Sequence, residues 1–260
     1  MCTNTSIGID CTLFLLFFNQ YCILTFHFTA RKILEQILNA VYYWHQKGII
    51  HRDLKLENVL FSDIETLEIK VVDFGIAGYI RNNIGEDTDF GTVRYMAPEV
   101  LSNKDKKASR AIDIWAWGVI LYTMLWNKFP FSGKNKCKLD FLLYVTSYDL
   151  NKQIYEQFLI KLDICFYISI WWILIDDLLK CISRPLKFPY LTLGKAISSE
   201  AEDLILKMLN TNPNERISMI DCFEHQWFRM SESQIEDSAK LNYEVTLKQE
   251  EERKEAKINK

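Results

Sequence analysis

Four short clusters hold most of the residues in this sequence that could do chemistry. His51-Arg52-Asp53-Leu54-Lys55-Leu56-Glu57-Asn58 gathers cations, carboxylates and an amide into one polar loop. Asp73-Phe74-Gly75 follows it, and Gly91-Thr92 leads into Ala97-Pro98-Glu99. A carboxylate fixed on a rigid loop can accept a proton and position the group that gives it up. An ammonium two residues away can neutralise negative charge that develops beside it. Amide and carboxylate oxygens such as those of Asn58 and Asp73 suit a hard cation. Any one of these residues alone reads as a solvated loop charge or a cap, so their order and spacing carry the argument.

The elements that must position them follow from periodicity. Ile33, Leu34, Ile37, Leu38, Val41 and Tyr42 recur at helical spacing, and the helix they form should stop near Gly48. Val59–Phe61 and the alternating Leu67, Ile69 and Val71 suit a small hairpin. Ile112–Trp126 is apolar nearly all round, interrupted by Asp113, Gly118 and Thr123, which places that helix inside a core. Ser199 and Glu202 have the spacing of a capping box, ahead of the buried face Ala201, Leu204, Ile205, Met208 and Leu209. The fold class expected is mainly α with a small β-hairpin. The polar clusters then fall on the loops between these elements.

Together and in this order, the clusters resemble the eukaryotic protein kinase catalytic lobe. The resemblance covers residues 31–134 and 184–228, and within the family it is most similar to the calcium/calmodulin-dependent-kinase group. It implies a Ser/Thr protein kinase that uses ATP and Mg²⁺, with Asp53 as the base that takes the substrate hydroxyl proton and Lys55 beside the transferring phosphoryl group. Asn58 and Asp73 would hold the metal. Arg52 would grip a phosphate on the activation segment, with Thr88 as its bearer, and Thr92 would contact the catalytic loop as in Ser/Thr kinases. Asp113 would anchor the loop backbone, and Glu99 with Arg216 would tie the activation segment to the lobe. Glu57 resembles the position that reads a basic residue in protein substrates. An alternative is a catalytically inactive, kinase-like binding or regulatory module. The presence of Asp53, Asn58 and Asp73 together argues against it.

The family's smaller lobe supplies a Gly-rich loop and a strand Lys for the ATP phosphates. Neither pattern occurs in these residues, so the expectation is a protein-kinase-like C-terminal lobe with its N-terminal lobe absent. The expected organisation is an apolar non-kinase segment 1–29, a kinase domain 31–228 with an insertion at 135–183, and a charged tail 229–260. Residues 1–29 contain one Gly and no Ala, Arg or Pro, and 135–183 contain none of the four, against 33 in the rest of the chain. Membrane segments, a genuine insertion and translated AT-rich non-coding DNA compete to explain those stretches, and the missing residue types favour the third. Enlarging a loop from about 10 to about 60 residues costs only about 1.6 kcal/mol in closure entropy, so the fold tolerates such an insertion.

Composition narrows the remainder. The net charge of −3 gives no field for a polyanion, so no nucleic-acid partner is expected. Seven cysteines without a Cys-x-x-Cys pair fit a reducing compartment, which makes a cytoplasmic location the expectation. Membrane association is open only through the uncharged run 11–28.

Overall fold

A computed structural model describes residues 9–10, 23–80, 92–102, 109–131, 173, 175–189 and 197–258. Thr88, residues 11–22 of the uncharged run and most of the 135–183 insertion lie outside the described residues.

Helix α1 (Ile23–Gln46) forms where the apolar periodicity calls for it: Ile33, Leu34, Ile37 and Leu38 are fully buried. It begins inside the segment that the sequence sets apart as 1–29, and His27 and Thr29 are already buried. It ends at Gly48, whose φ of 74° lets the chain turn left-handed and reverse direction. Strand β2 (Ile49–Ile50) follows, then a 3-10 turn (Leu56–Asn58), β3 (Val59–Asp63), β4 (Glu68–Val71) and β5 (Gly78–Tyr79).

The expected hairpin is present, with Val59 opposite Val71 and Phe61 opposite Ile69. It is not the whole β structure. Strand β1 (Ile9–Asp10) pairs antiparallel with β3, and β2 pairs antiparallel with β5 in a second sheet. Ladders of two residues are too short to show the alternation that a sequence pattern needs. The hairpin turn is made by Asp63, whose Oδ1 accepts from the Glu65 and Thr66 N–H groups at 2.9 and 3.3 Å. Gln36 on α1 then clamps the hairpin: its amide donates to Leu67 O at 2.8 Å and accepts from Ile69 N at 3.1 Å.

Past a 3-10 turn (Val93–Tyr95) and the short α2 (Pro98–Leu101), helix α3 (Arg110–Trp126) runs through the middle of the domain. Every residue from Ala111 to Trp126 is buried, as a helix apolar nearly all round requires. Ser109 caps its start by accepting from Ala111 N, and Asn127, at φ 52°, closes its end. Residues 175–182 form α4, and Ile175, Leu178 and Ile182 sit in the core at helical spacing. That end of the insertion therefore packs with the lobe.

Helix α5 (Ser199–Met208) lies across α3. Its cap is Ser198, not Ser199: the Ser198 hydroxyl accepts from Ala201 N at 3.3 Å. Ser198 is fully buried, where an unpaired hydroxyl is costly, whereas Ser199 is exposed and reaches Ser238 and Glu200 instead. Glu202 is freed from the capping role and faces Asn242.

Helices α6 (Met219–Glu224), α7 (Gln226–Arg229) and α8 (Glu232–Ile258) complete the lobe. The charged tail is thus a helix whose first turns dock through Ile235 and Ala239 and whose remaining turns are largely exposed. Among the described residues no helix is long and apolar enough to cross a membrane.

At Gly118, α3 lies close against the end of α5. A Cβ at this position would lie 2.8 Å from Met208 Cβ and 2.9 Å from Leu209 Cδ2. Alanine raises helix propensity by about 1 kcal/mol, but overpacking costs about 1–3 kcal/mol. Gly118→Ala is therefore expected to lower the urea midpoint with an unchanged slope, and a raised midpoint would show that the two helices separate freely.

Burial pushes the Glu202 carboxyl up to about 7 from an ordinary value of 4.5, against the opposing hydrogen bond from Asn242. Between those two values the folded chain holds a proton that the unfolded chain has released. Stability should therefore fall as pH rises from about 4.5 to about 7 and level off above that. Urea melts across this window should show a negative slope that Glu202→Gln removes; the same slope in the variant would assign it to another group.

Candidate active site

The loop between β2 and β3 is built around a buried carboxylate on α3. Asp113, 1% exposed, accepts from His51 N and Arg52 N at 3.0 Å each and lies 2.8 Å from His45 Nε2. His45 is held in turn by Arg110, whose guanidinium donates to its carbonyl at 2.9 Å. Arg52 has φ 68°, a left-handed conformation costing about 1–2 kcal/mol in a residue with a Cβ. Two amides bonded to one carboxylate can hold it there. The Arg52 guanidinium lies against Gly78, where a Cβ would come within 2.3 Å of Nη2, so a glycine in β5 makes room for it.

The backbone so fixed presents Asp53. Its Oδ1 accepts from Thr92 N at 3.0 Å and from the Thr92 hydroxyl at 3.2 Å. Its Oδ2 lies 2.8 Å from Lys55 Nζ, which also donates to Thr92 Oγ1 at 3.2 Å. Asn58 donates its amide N–H to Asp53 O at 2.9 Å, which fixes the loop from below and leaves the amide oxygen for another partner. Asp53, Lys55, Asn58 and Thr92 are thus brought into one hydrogen-bonded group.

Asp73 is coupled to this group through its neighbour. Val72 N donates to Asn58 O at 2.9 Å, and His51 Nε2 meets Val72 O at 3.2 Å. Since His51 Nδ1 accepts from Asp53 N at 3.4 Å, Nε2 carries the proton. Asp73 itself is exposed, at φ 66°, with Oδ1 accepting from Gly75 N at 3.1 Å. Phe74 packs tilted against His51 and edge-on against Trp44, with ring centroids 4.7 and 4.8 Å away.

Glu57 is exposed beside Asn58, and its Oε2 accepts from Tyr95 OH at 3.4 Å. Burial, reinforced by the Glu57 charge, pushes the Tyr95 phenol well above its usual value, so it stays a neutral donor. Glu99 and Arg216 form a bidentate pair at 2.7 and 2.9 Å. Arg216 is buried, with further bonds to Ala111 O at 2.7 Å and Asn210 O at 2.9 Å, and it lies over the Trp115 ring.

Sequence reasoning passed over His45, Arg110, Trp44 and Tyr95. A histidine in the last turn of α1, facing the next loop, is the one signal that could have pointed to the first of them. The others depend on contacts across the fold.

Removing one partner from a buried ion pair costs about 3–5 kcal/mol. Arg216→Ala should lose stability on that scale, because Glu99 and two carbonyls lose their donor together. Arg216→Lys, which keeps the charge without the fork, should recover less than half of it. A loss below about 1 kcal/mol in urea melts of the alanine variant would mean that water replaces the guanidinium.

Comparison with known proteins agrees with this geometry. The family described as Protein kinase domain matches residues 16–228, starting ahead of the boundary at 31 that the sequence motifs suggest. Calcium-dependent protein kinase 5 of Plasmodium falciparum is 34% identical over 208 residues, covering 79% of this chain and 29% of that protein. The carbon catabolite-derepressing protein kinase of Candida glabrata is 33% identical over 201 residues, 77% of this chain and 25% of that protein. CBL-interacting serine/threonine-protein kinase 13 of Arabidopsis thaliana is 32% identical over 205 residues, 77% of this chain and 32% of that protein. The chain thus spans about a quarter to a third of the length of these relatives. It belongs to the protein kinase family, on its Ser/Thr, calcium/calmodulin-dependent-kinase-like branch.

Proposed function

We propose that this chain carries the catalytic lobe of a Ser/Thr protein kinase, transferring the γ-phosphate of ATP to protein hydroxyls. The observation that carries the reading is the Asp53 carboxylate, held by Thr92 on one oxygen and by Lys55 on the other. A substrate hydroxyl reaching Asp53 would meet an oriented acceptor for its proton. Lys55, already within 2.8 Å, stands ready to offset charge on the transferring group.

The donor set fits Mg²⁺. Asn58 spends its N–H on Asp53 O and has its amide oxygen to offer, while Asp73 is an exposed carboxylate tied to Asn58 through Val72. Two protein oxygens match a cation that completes its shell with phosphate and water. Mg-ATP would supply the phosphoryl group; these residues hold, orient and deprotonate around it.

Finer assignments complete the proposal. Arg52 receives a phosphate carried by Thr88, Thr92 marks the preference for Ser and Thr, and Glu57 reads a basic residue of the substrate. The Gly-rich loop and strand Lys of the family are not among these 260 residues, so the reading is of a catalytic lobe without its phosphate cradle.

Transfer to Ser/Thr peptides is expected when a small lobe bearing those elements is joined ahead of residue 23. In that fusion Asp53→Asn should slow transfer by about 10²–10⁴-fold, with an unchanged thermal midpoint. A rate within tenfold of the parent would remove Asp53 as the base. Equal transfer by the unfused chain would overturn the division between lobe and cradle.

A further inference from the structure

Two surfaces of this chain are uncovered, and they complement each other. A groove of about 870 Å³ runs between α2, α4 and α5. Phe131, Leu179, Leu206 and Leu209 give it apolar walls, and Leu206 is 48% exposed. Two charged residues also line it, Glu99 and Arg184. Glu99 is already paired with Arg216, whereas the Arg184 guanidinium is exposed and pairs with no carboxylate among the described residues. The groove therefore suits apolar side chains accompanied by a carboxylate.

Helix α8 presents that combination. Its inner side is taken: Ile235 and Ala239 are buried, Ser238 donates to Glu200 at 2.6 Å, and Asn242 donates to Ile197 O at 3.0 Å. At about 3.6 residues per turn, Asp237, Leu241, Glu244, Val245 and Lys248 share another side. All five are exposed, Leu241 at 63%. Two carboxylates against one ammonium leave that side acidic around its two apolar residues. Since α5 holds the inner side, the outer side is turned away from its own lobe, and a second molecule can cover it.

We propose that the groove beside α4 seats the outer side of α8 from a second copy of this chain. Leu241 and Val245 enter the groove beside Leu206, and Glu244 pairs with Arg184 of the other copy. Each copy has one such groove and one α8, so reciprocal exchange closes a two-fold dimer and forms the contact twice. The inference does not rest on the kinase reading, because neither surface contains Asp53, Asn58 or Asp73.

Sedimentation equilibrium of the full chain, over a dilution series at low salt, tests the contact. The parent should form dimers that dissociate on dilution. Leu206→Glu and Leu241→Glu, both at exposed positions, should each keep the urea midpoint and weaken dimerisation about tenfold or more. Arg184→Glu and Glu244→Arg should each weaken it about three- to tenfold, and the double variant should return to within about threefold of the parent. That recovery joins the two surfaces to each other, which unspecific association through apolar side chains would not do. A parent that stays monomeric at its highest soluble concentration would overturn the proposal. So would unchanged dimerisation in Leu206→Glu, a double variant no better than the single ones, or growth beyond two copies, which reciprocal exchange forbids.

Discussion

Asp113 sits in the middle of a helix that is otherwise apolar and buried, where a bare carboxylate is costly by several kcal/mol. The N–H groups of His51 and Arg52 and the imidazole of His45 compensate for that burial. Those donors come from both sides of the turn between α1 and β3. The carboxylate cannot be satisfied unless the turn comes back over α3, and the turn cannot hold Arg52 left-handed without the carboxylate. Each side depends on the other, and Asp53 is the residue that the two together position against Thr92 and Lys55.

A second anchor fixes the opposite wall. Arg216 reaches from beyond α5 to Glu99 and to the carbonyl of Ala111, on the first turn of α3. The segment that carries Thr92 and Arg94 is thus tied to the same helix that holds Asp53's loop. Thr92 and Asp53 are far apart in sequence, yet both refer their positions to α3. Their 3.0 Å bond follows from a shared frame and does not rely on a direct covalent link. This explains why α3 must be rigid and buried throughout: any play in it would appear twice at the site.

Much of this was legible beforehand, for reasons that differ by residue. Asp53, Lys55, Asn58 and Asp73 were legible because their types and order are unusual for a solvated loop, and the structure brings the first three together with Thr92. The core of α1 and the burial of α3 followed from periodicity, which packing enforces directly. What escaped were facts set by a single contact across the fold. The cap of α5 moved by one residue because Ser198 is buried and Ser199 is not, a difference no local pattern records. The two-residue strands carried no period to detect. His45 looked like one more polar residue in the last turn of a helix, where a histidine is unremarkable; only the approach of Asp113 makes it part of the site.

The aromatic cluster of Trp44, His51 and Phe74 shows how the two halves of the site are kept in step. Asp73 has a left-handed backbone and an exposed side chain, so little local structure holds it. Its neighbours do: Val72 is bonded on both backbone groups, to Asn58 and to His51, and Phe74 lies against the imidazole of that same His51. His51 also accepts from Asp53 N and donates its own N–H to Asp113. One imidazole and its backbone therefore touch the anchor Asp113, the main chain of Asp53 and both flanks of the metal-binding candidate Asp73. A rotation of that ring would loosen Val72 and Phe74 together while leaving Asp113 bonded to the main chain. Val72 would keep its bond to Asn58 and Phe74 its edge-on contact with Trp44, so Asp73 is held on each side by more than one residue.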